Sequence, residues 1–120
     1  MESNRKKGSV AEDLALRELT GKGYRLLERN WQSGHKELDL IMQDGKELVV
    51  VEVKSLSSDR FGDPIDRVTS RKEKNVIEAA DEFIRLNNID MPVRFDVVEV
   101  VFGEGKPFVH HIPNAFGPLF

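Results

Sequence analysis

The sequence predicts an α/β fold in which helices flank one central mixed β-sheet, with the elements in the order α-β-β-β-α-β-β. Three features carry that expectation. Apolar residues recur at helical spacing in two separate stretches, an Asp44-Gly45 turn separates two strand-like runs, and a valine-rich run, Val93–Phe102, follows the second helical stretch.

Taken in order, Met1–Lys7 offers nothing apolar to anchor it and reads as a mobile basic tail. From Ser9 to Leu19, Val10, Ala11, Leu14, Ala15 and Leu19 recur at helical spacing, Ser9-x-x-Glu12 has the form of a capping box, and Gly21 and Gly23 supply a stop. Tyr24–Arg29 reads as a short strand before the polar turn Gln32-Ser33-Gly34-His35. Glu37–Met42 and Leu48–Lys54 then flank Asp44-Gly45 and should pair as an antiparallel hairpin. A loop with Asp63 and Pro64 leads to a second helix from about Ser70 to Leu86, with Val76, Ile77, Ala80, Phe83 and Ile84 on its inner face. Val93–Phe102 reads as a strand, Gly103-Glu104-Gly105 as a turn and Phe108–Ile112 as the last strand. The resulting division is a tail over 1–7, one domain over 8–112 and an irregular tail over 113–120 whose Phe116, Leu119 and Phe120 pack back on the body.

At 120 residues the chain suits one ordinary domain, and 39% hydrophobic with 32% charged residues is a globular composition. The net charge of −3 is no signature of a nucleic-acid binder, although a local basic patch or a bound cation reverses the field near a site. The absence of cysteine excludes disulfides and thiolate metal sites, so any metal needs oxygen or imidazole ligands. The polar start lacks the apolar stretch of a signal peptide, and no run approaches the roughly 20 apolar residues of a membrane span. The expectation is a cytoplasmic protein with no membrane segment.

Strand alternation sorts the hairpin. Glu37, Asp39 and Ile41 should face one way and Leu38, Leu40 and Met42 the other; on the partner run Leu48, Val50, Glu52 and Lys54 share one side. A turn of two or four loop residues sets Asp39 across from Val50 or Glu52, on the face that also carries Lys54. These charges could simply be solvated on a half-buried sheet. Ile41, Leu48 and Val50 make that face partly apolar, however, and two like charges at its edge call for a cation or a proton. Oxygen ligands suit Mg²⁺ or Mn²⁺, and the chemistry that fits is phosphodiester hydrolysis, with Lys54 orienting the attacking water or stabilising charge on phosphorus. Glu-x-Lys by itself is a common tripeptide; the hairpin, the upstream Asp39 and the preceding helix give it weight.

Gly8-x-x-Ala11-Glu12-x-x-Ala15, Gly23-Tyr24, Asn30-Trp31, Glu37-Leu38-Asp39-Leu40-Ile41, Val51-Glu52-Val53-Lys54, Phe61-Gly62-x-Pro64, Lys72 and Arg94-Phe95-Asp96-Val97-Val98 together resemble the YraN family of bacterial proteins, from Gly8 to Phe116. That family is similar in core to archaeal Holliday-junction resolvases and restriction-endonuclease-like nucleases. The resemblance implies a restriction-endonuclease-like core, with Asp39, Glu52 and Lys54 as its PD-(D/E)XK signature. It also makes Glu12 a further metal-site carboxylate, in competition with its reading as a capping residue. Glu37, typical of the family, is a ligand or a structural partner. Two positions depart from the pattern: Lys36 stands where a glycine commonly precedes Glu-x-Asp, and Leu56 where a basic residue often follows the lysine.

Arg60, Arg67, Arg71, Lys72 and Lys74 crowd the loop and the start of the second helix, placed to contact nucleic-acid phosphates or, with Asp63, Asp66 and Glu73 interleaved, to form a solvated face. His110-His111 reads as structural and Trp31 as packing. Two functions follow: a Mg²⁺- or Mn²⁺-dependent endonuclease acting on nucleic acid, in the first place DNA, and a non-catalytic nucleic-acid or protein-binding module on the same fold. A homodimer is expected by analogy with the resolvases.

Overall fold

A computed structural model describes residues 4–57 and 70–118 of the chain. Helix α1 (Asn4–Gly21) leads into strands β1 (Arg25–Ser33), β2 (Lys36–Asp44) and β3 (Glu47–Ser57); helix α2 (Ser70–Leu86) follows, then β4 (Val93–Phe102) and β5 (Phe108–Phe116). The strands form one sheet in the order β1-β2-β3-β4-β5, antiparallel throughout except for the parallel pair β3–β4. A parallel pair needs a crossover, and α2 lies within that connection. This is the expected α/β order, consistent with a restriction-endonuclease-like core.

The two helices take opposite faces. Ala11, Ala15 and Leu19 of α1 pack with Leu40, Met42, Val49, Val51, Val98 and Val100, while Val76, Ala79, Ala80 and Phe83 of α2 pack with Leu38, Ile41, Leu48, Val50 and Phe95. Alanines at the contact positions bring each helix close to the sheet. Because β3 is covered on both sides, Leu48–Val51 is a continuous apolar run, each residue at most 1% exposed. Trp31 packs edge-on to Phe83 within the α2 cluster, with ring centroids 5.2 Å apart, as packing rather than as an exposed platform.

Several boundaries differ from the sequence reading. α1 begins at Asn4, within the segment read as a tail, since lysine and arginine are good helix formers; Met1–Ser3 lie outside the described residues. Ser9 therefore lies inside α1, and the Ser9/Glu12 capping box does not exist. At its other end α1 closes as expected: Gly23 takes φ 96°, and the Gly23 and Tyr24 amides donate to the Thr20 and Leu19 carbonyls. The β2–β3 turn is Gly45-Lys46, one residue later than expected, with Asp44 opposite Glu47 and Gly45 at φ 59°. β1 continues through Trp31 to Ser33. β5 does not end before Pro113. It bulges through Pro113 and Asn114 (φ 50°), which an edge strand tolerates, and resumes pairing at Phe116, stacked on Phe95. Phe116 thus packs back on the body as expected, whereas Leu119 and Phe120 lie outside the described residues, as do Asp63 and Pro64.

Two charged residues are buried among the described residues, Glu52 and Asp96. Asp96 is fully enclosed and fully partnered: it accepts hydrogen bonds from Arg94 Nε (2.9 Å) and Nη2 (3.2 Å), from the Asn114 amide (2.9 Å) and from His111 Nε2 (2.7 Å). Burial raises its pKa, but these donors outweigh burial and hold the carboxyl below its ordinary value. Arg94 also donates to Tyr24 Oη and Glu47, tying the end of α1 and the β2–β3 turn to β4 and β5. Asp96→Ala removes the buried acceptor shared by Arg94, His111 and the Asn114 amide, and is expected to cost about 3–5 kcal/mol in urea denaturation.

Candidate functional site

Glu52 is the first polar residue after the apolar run of β3, and alternation from Leu48 and Val50 turns it toward the α2 face. The β2–β3 ladder is continuous from Asp44–Glu47 to Leu40–Val51, so the next position on β2, Asp39, falls beside Glu52. Of the two registers considered from sequence, this is the one that brings the carboxylates together. Here the strand pattern also breaks. Asn30, opposite Asp39 on β1, has φ 54°, and the Asp39 carboxylate takes the Val53 amide at 2.9 Å. The kink shows in the packing: Leu38 joins Ile41 in the α2 cluster and not, as strict alternation required, Leu40 and Met42 in the α1 cluster.

The two carboxyls lie side by side, and like charges so close do not both ionise freely. Burial, the Glu52 hydrogen bond and the Glu52 charge push the Asp39 pKa up to about 8, against the opposing pull of the Val53 amide and Lys72. Lys72, on the first turn of α2, sets its Nζ 3.3 Å from Glu52 Oε1. Partial burial of this amine disfavours its charge, but Glu52, Asp39 and Glu37 outweigh that and raise its pKa.

Around the pair lies a cleft of about 370 Å³. Glu37, Asp39 and Glu52 supply its carboxylates; His35 and Lys36 line it from the β1–β2 turn, and Arg71, Lys72, Asn75 and Val76 from α2. The turn is pinned to α2 by Ser33 donating to Glu82 and by Lys36 pairing with Glu78, whose carboxyl is held below its ordinary pKa by that lysine. Lys36, the departure from the family's glycine, thus acts as a tether between hairpin and helix.

The sequence-derived residues are not all gathered here. Lys54 shares the face of Glu52 by alternation but lies outside the lining of the cleft, and it makes no hydrogen bond or ion pair among the described residues. Glu12 is bound by Arg29 Nε at 3.2 Å, in a cluster where Arg29 also holds Asp13 and the Ser9 carbonyl. Burial and the nearby Asp39 charge raise the Glu12 pKa, so it senses the pair without joining it. Arg60 and Arg67 lie outside the described residues. Arg71 and Lys72 both line the cleft, and the pairing of Lys72 with Glu52 was missed from sequence; the excess of basic residues there was its only signal. His111 is part of the Asp96 network and His110 pairs with Glu99, in keeping with their structural reading.

Among the described residues no group of three or more metal-ligating side chains is placed to hold an ion. The donor chemistry still fits a hard divalent cation at Asp39 and Glu52: two adjoining carboxyls, one half-buried and one buried, all-oxygen, with the Asp39 pKa raised and Glu52 paired to an ammonium.

A raised pKa means that the proton on Asp39 stabilises the fold. That contribution is complete below the unfolded value of 3.8 and is lost as pH rises through about 8. In EDTA, the thermal midpoint of the wild type relative to Asp39→Asn is therefore expected to fall steadily from about pH 4 to pH 8. A flat or rising difference would contradict the raised pKa of Asp39.

The sequence profile of the Uncharacterised protein family UPF0102 matches residues 11–100. A UPF0102 protein of Phocaeicola vulgatus is 43% identical over 112 residues, 92% of each chain. A UPF0102 protein of Syntrophomonas wolfei is 41% identical over 114 residues, covering 94% of this chain and 99% of the relative. In Porphyromonas gingivalis another is 40% identical over 119 residues, covering 97% of this chain and 87% of its own. The matched profile spans Glu12, the Asp39–Glu52 pair, Lys54 and Lys72, and on that match the chain belongs to the uncharacterised protein family UPF0102, the YraN family.

Proposed function

We propose that the cleft is a phosphodiester-hydrolysing site and that the protein is a Mg²⁺- or Mn²⁺-dependent nuclease acting on nucleic acid, with DNA the first candidate. The observation that carries this reading is the adjoining carboxyl pair of half-buried Asp39 and buried Glu52, opening into a cleft whose rims bear Lys36, Arg71 and Lys72. Carboxylates that hold a cation and flanking bases that hold phosphates are the two halves of such a site. Asp39 and Glu52 would hold the cation, with Glu12 behind them; when bound, it polarises the phosphate and acidifies water. Lys54 contributes a positive charge two residues along the face from Glu52, toward charge developing on phosphorus. Arg71 and Lys72, together with Arg60 and Arg67 from the preceding segment, contact the backbone phosphates. A homodimer belongs to the same proposal, two copies presenting two clefts to paired strands.

A non-catalytic binding module is the second reading. It is favoured by Lys54 lying outside the lining of the cleft and by Lys72 already pairing with Glu52. The two part on one experiment: duplex, four-way-junction and single-stranded DNA, and RNA, are incubated with the protein and Mg²⁺ or Mn²⁺. Cleavage is expected, reduced at least about 100-fold in Asp39→Asn and Glu52→Gln proteins of unchanged circular dichroism. Undiminished cleavage in Asp39→Asn would remove the assignment of the site; retained binding of nucleic acid without cleavage of any substrate would establish the module.

A further inference from the structure

Lys72 stands where a cation contributes least to its own helix. It is in the first turn of α2, where the helix dipole disfavours positive charge, and its side chain is 58% exposed. Its ammonium nevertheless turns toward Glu52, which is only 4% exposed, at 3.3 Å. Arg29 beside Glu12 differs in exposure: its side chain is 27% exposed and lies against α1, with Glu12, Asp13 and the Ser9 carbonyl as acceptors. Lys72 has the reach and exposure of a group that can be exchanged.

We propose that Lys72 is an internal counter-ion of the carboxylate pair, holding the place of a divalent cation at Glu52 and competing with it. The inference rests on the reading of Asp39 and Glu52 as cation ligands. Without the cation, the ammonium balances the charge that Glu52 carries into the interior. On loading, the cation takes over both carboxylates, and Lys72 is displaced toward the open cleft, where the same charge suits an anionic ligand. Lys72 is thus a positioning residue that couples the filling of the carboxylate pair to the charge presented on the α2 rim.

The test is titration of Mn²⁺ alone, by calorimetry, into wild-type, Lys72→Met and Lys72→Arg proteins, with thermal midpoints recorded in EDTA and in saturating Mn²⁺. Removing the competitor is expected to tighten Mn²⁺ binding about three- to tenfold in Lys72→Met, while Lys72→Arg stays within about twofold of the wild type. Lys72→Met should also lower the midpoint in EDTA and leave it unchanged or higher in Mn²⁺. A purely structural ion pair lowers both midpoints alike and leaves the affinity unchanged; that result, or weaker binding in Lys72→Met, overturns the proposal while the metal site stands. Binding that appears only in Lys72→Met supports it. No Mn²⁺ binding in any of the three proteins overturns both this inference and the metal-dependent reading.

Discussion

Where a helix covers each face of the sheet, the middle of the central strands has no water, so a charged residue buried there must find its compensation inside the protein. Leu48–Val51 satisfies that constraint by being wholly apolar. Asp96 on β4 satisfies it with a complete set of donors, two from Arg94 and one each from His111 and Asn114. The β5 bulge at Pro113 and Asn114 and the left-handed Asn114 serve this carboxylate directly, because they aim an amide at it that a regular strand would have spent on the ladder.

Glu52 meets the same constraint differently. Among the described residues no guanidinium forks onto it, and it lies beside a second carboxyl, Asp39, whose pKa is raised, with the exposed Lys72 ammonium pairing with it. A carboxylate compensated by rigid donors is a structural element, whereas one beside a second carboxyl and an exposed lysine can accept a stronger cation. The contrast between the two buried acids of one sheet separates the part of the protein that holds its shape from the part that has chemistry to offer.

The β2–β3 register sets the pair side by side, and the ladder ends just where they meet. An undisturbed β2–β3 ladder would have used the Val53 amide for strand pairing and continued past Glu52. The ladder ends at Leu40–Val51, beside the left-handed Asn30, and the Asp39 side chain takes the amide in place of a strand carbonyl. At the same place Leu38 turns to the α2 side, so one local irregularity both opens the cleft and closes the core beneath α2.

The alternation of Glu37–Met42 and the run Leu48–Val51, joined by a glycine turn, put Asp39 and Glu52 on one face from sequence alone, because strand period is a local property; the observed turn, one residue later than expected, chose the register that sets them side by side. The extent of α2 was equally legible from its apolar spacing, and the order of all seven elements followed. Other features depend on groups distant in the chain and so became visible only in the folded structure. Lys72 reaches Glu52 across 20 positions, Arg29 draws Glu12 onto β1, and Arg94 gathers Tyr24, Glu47 and Asp96. The facing of Leu38 and the continuation of β5 beyond Pro113 belong with them, since a bulge answers to a hydrogen-bond partner on another strand. Sequence period decided which residues share a face; tertiary packing decided which charges lose their water, and therefore which of them must be paired.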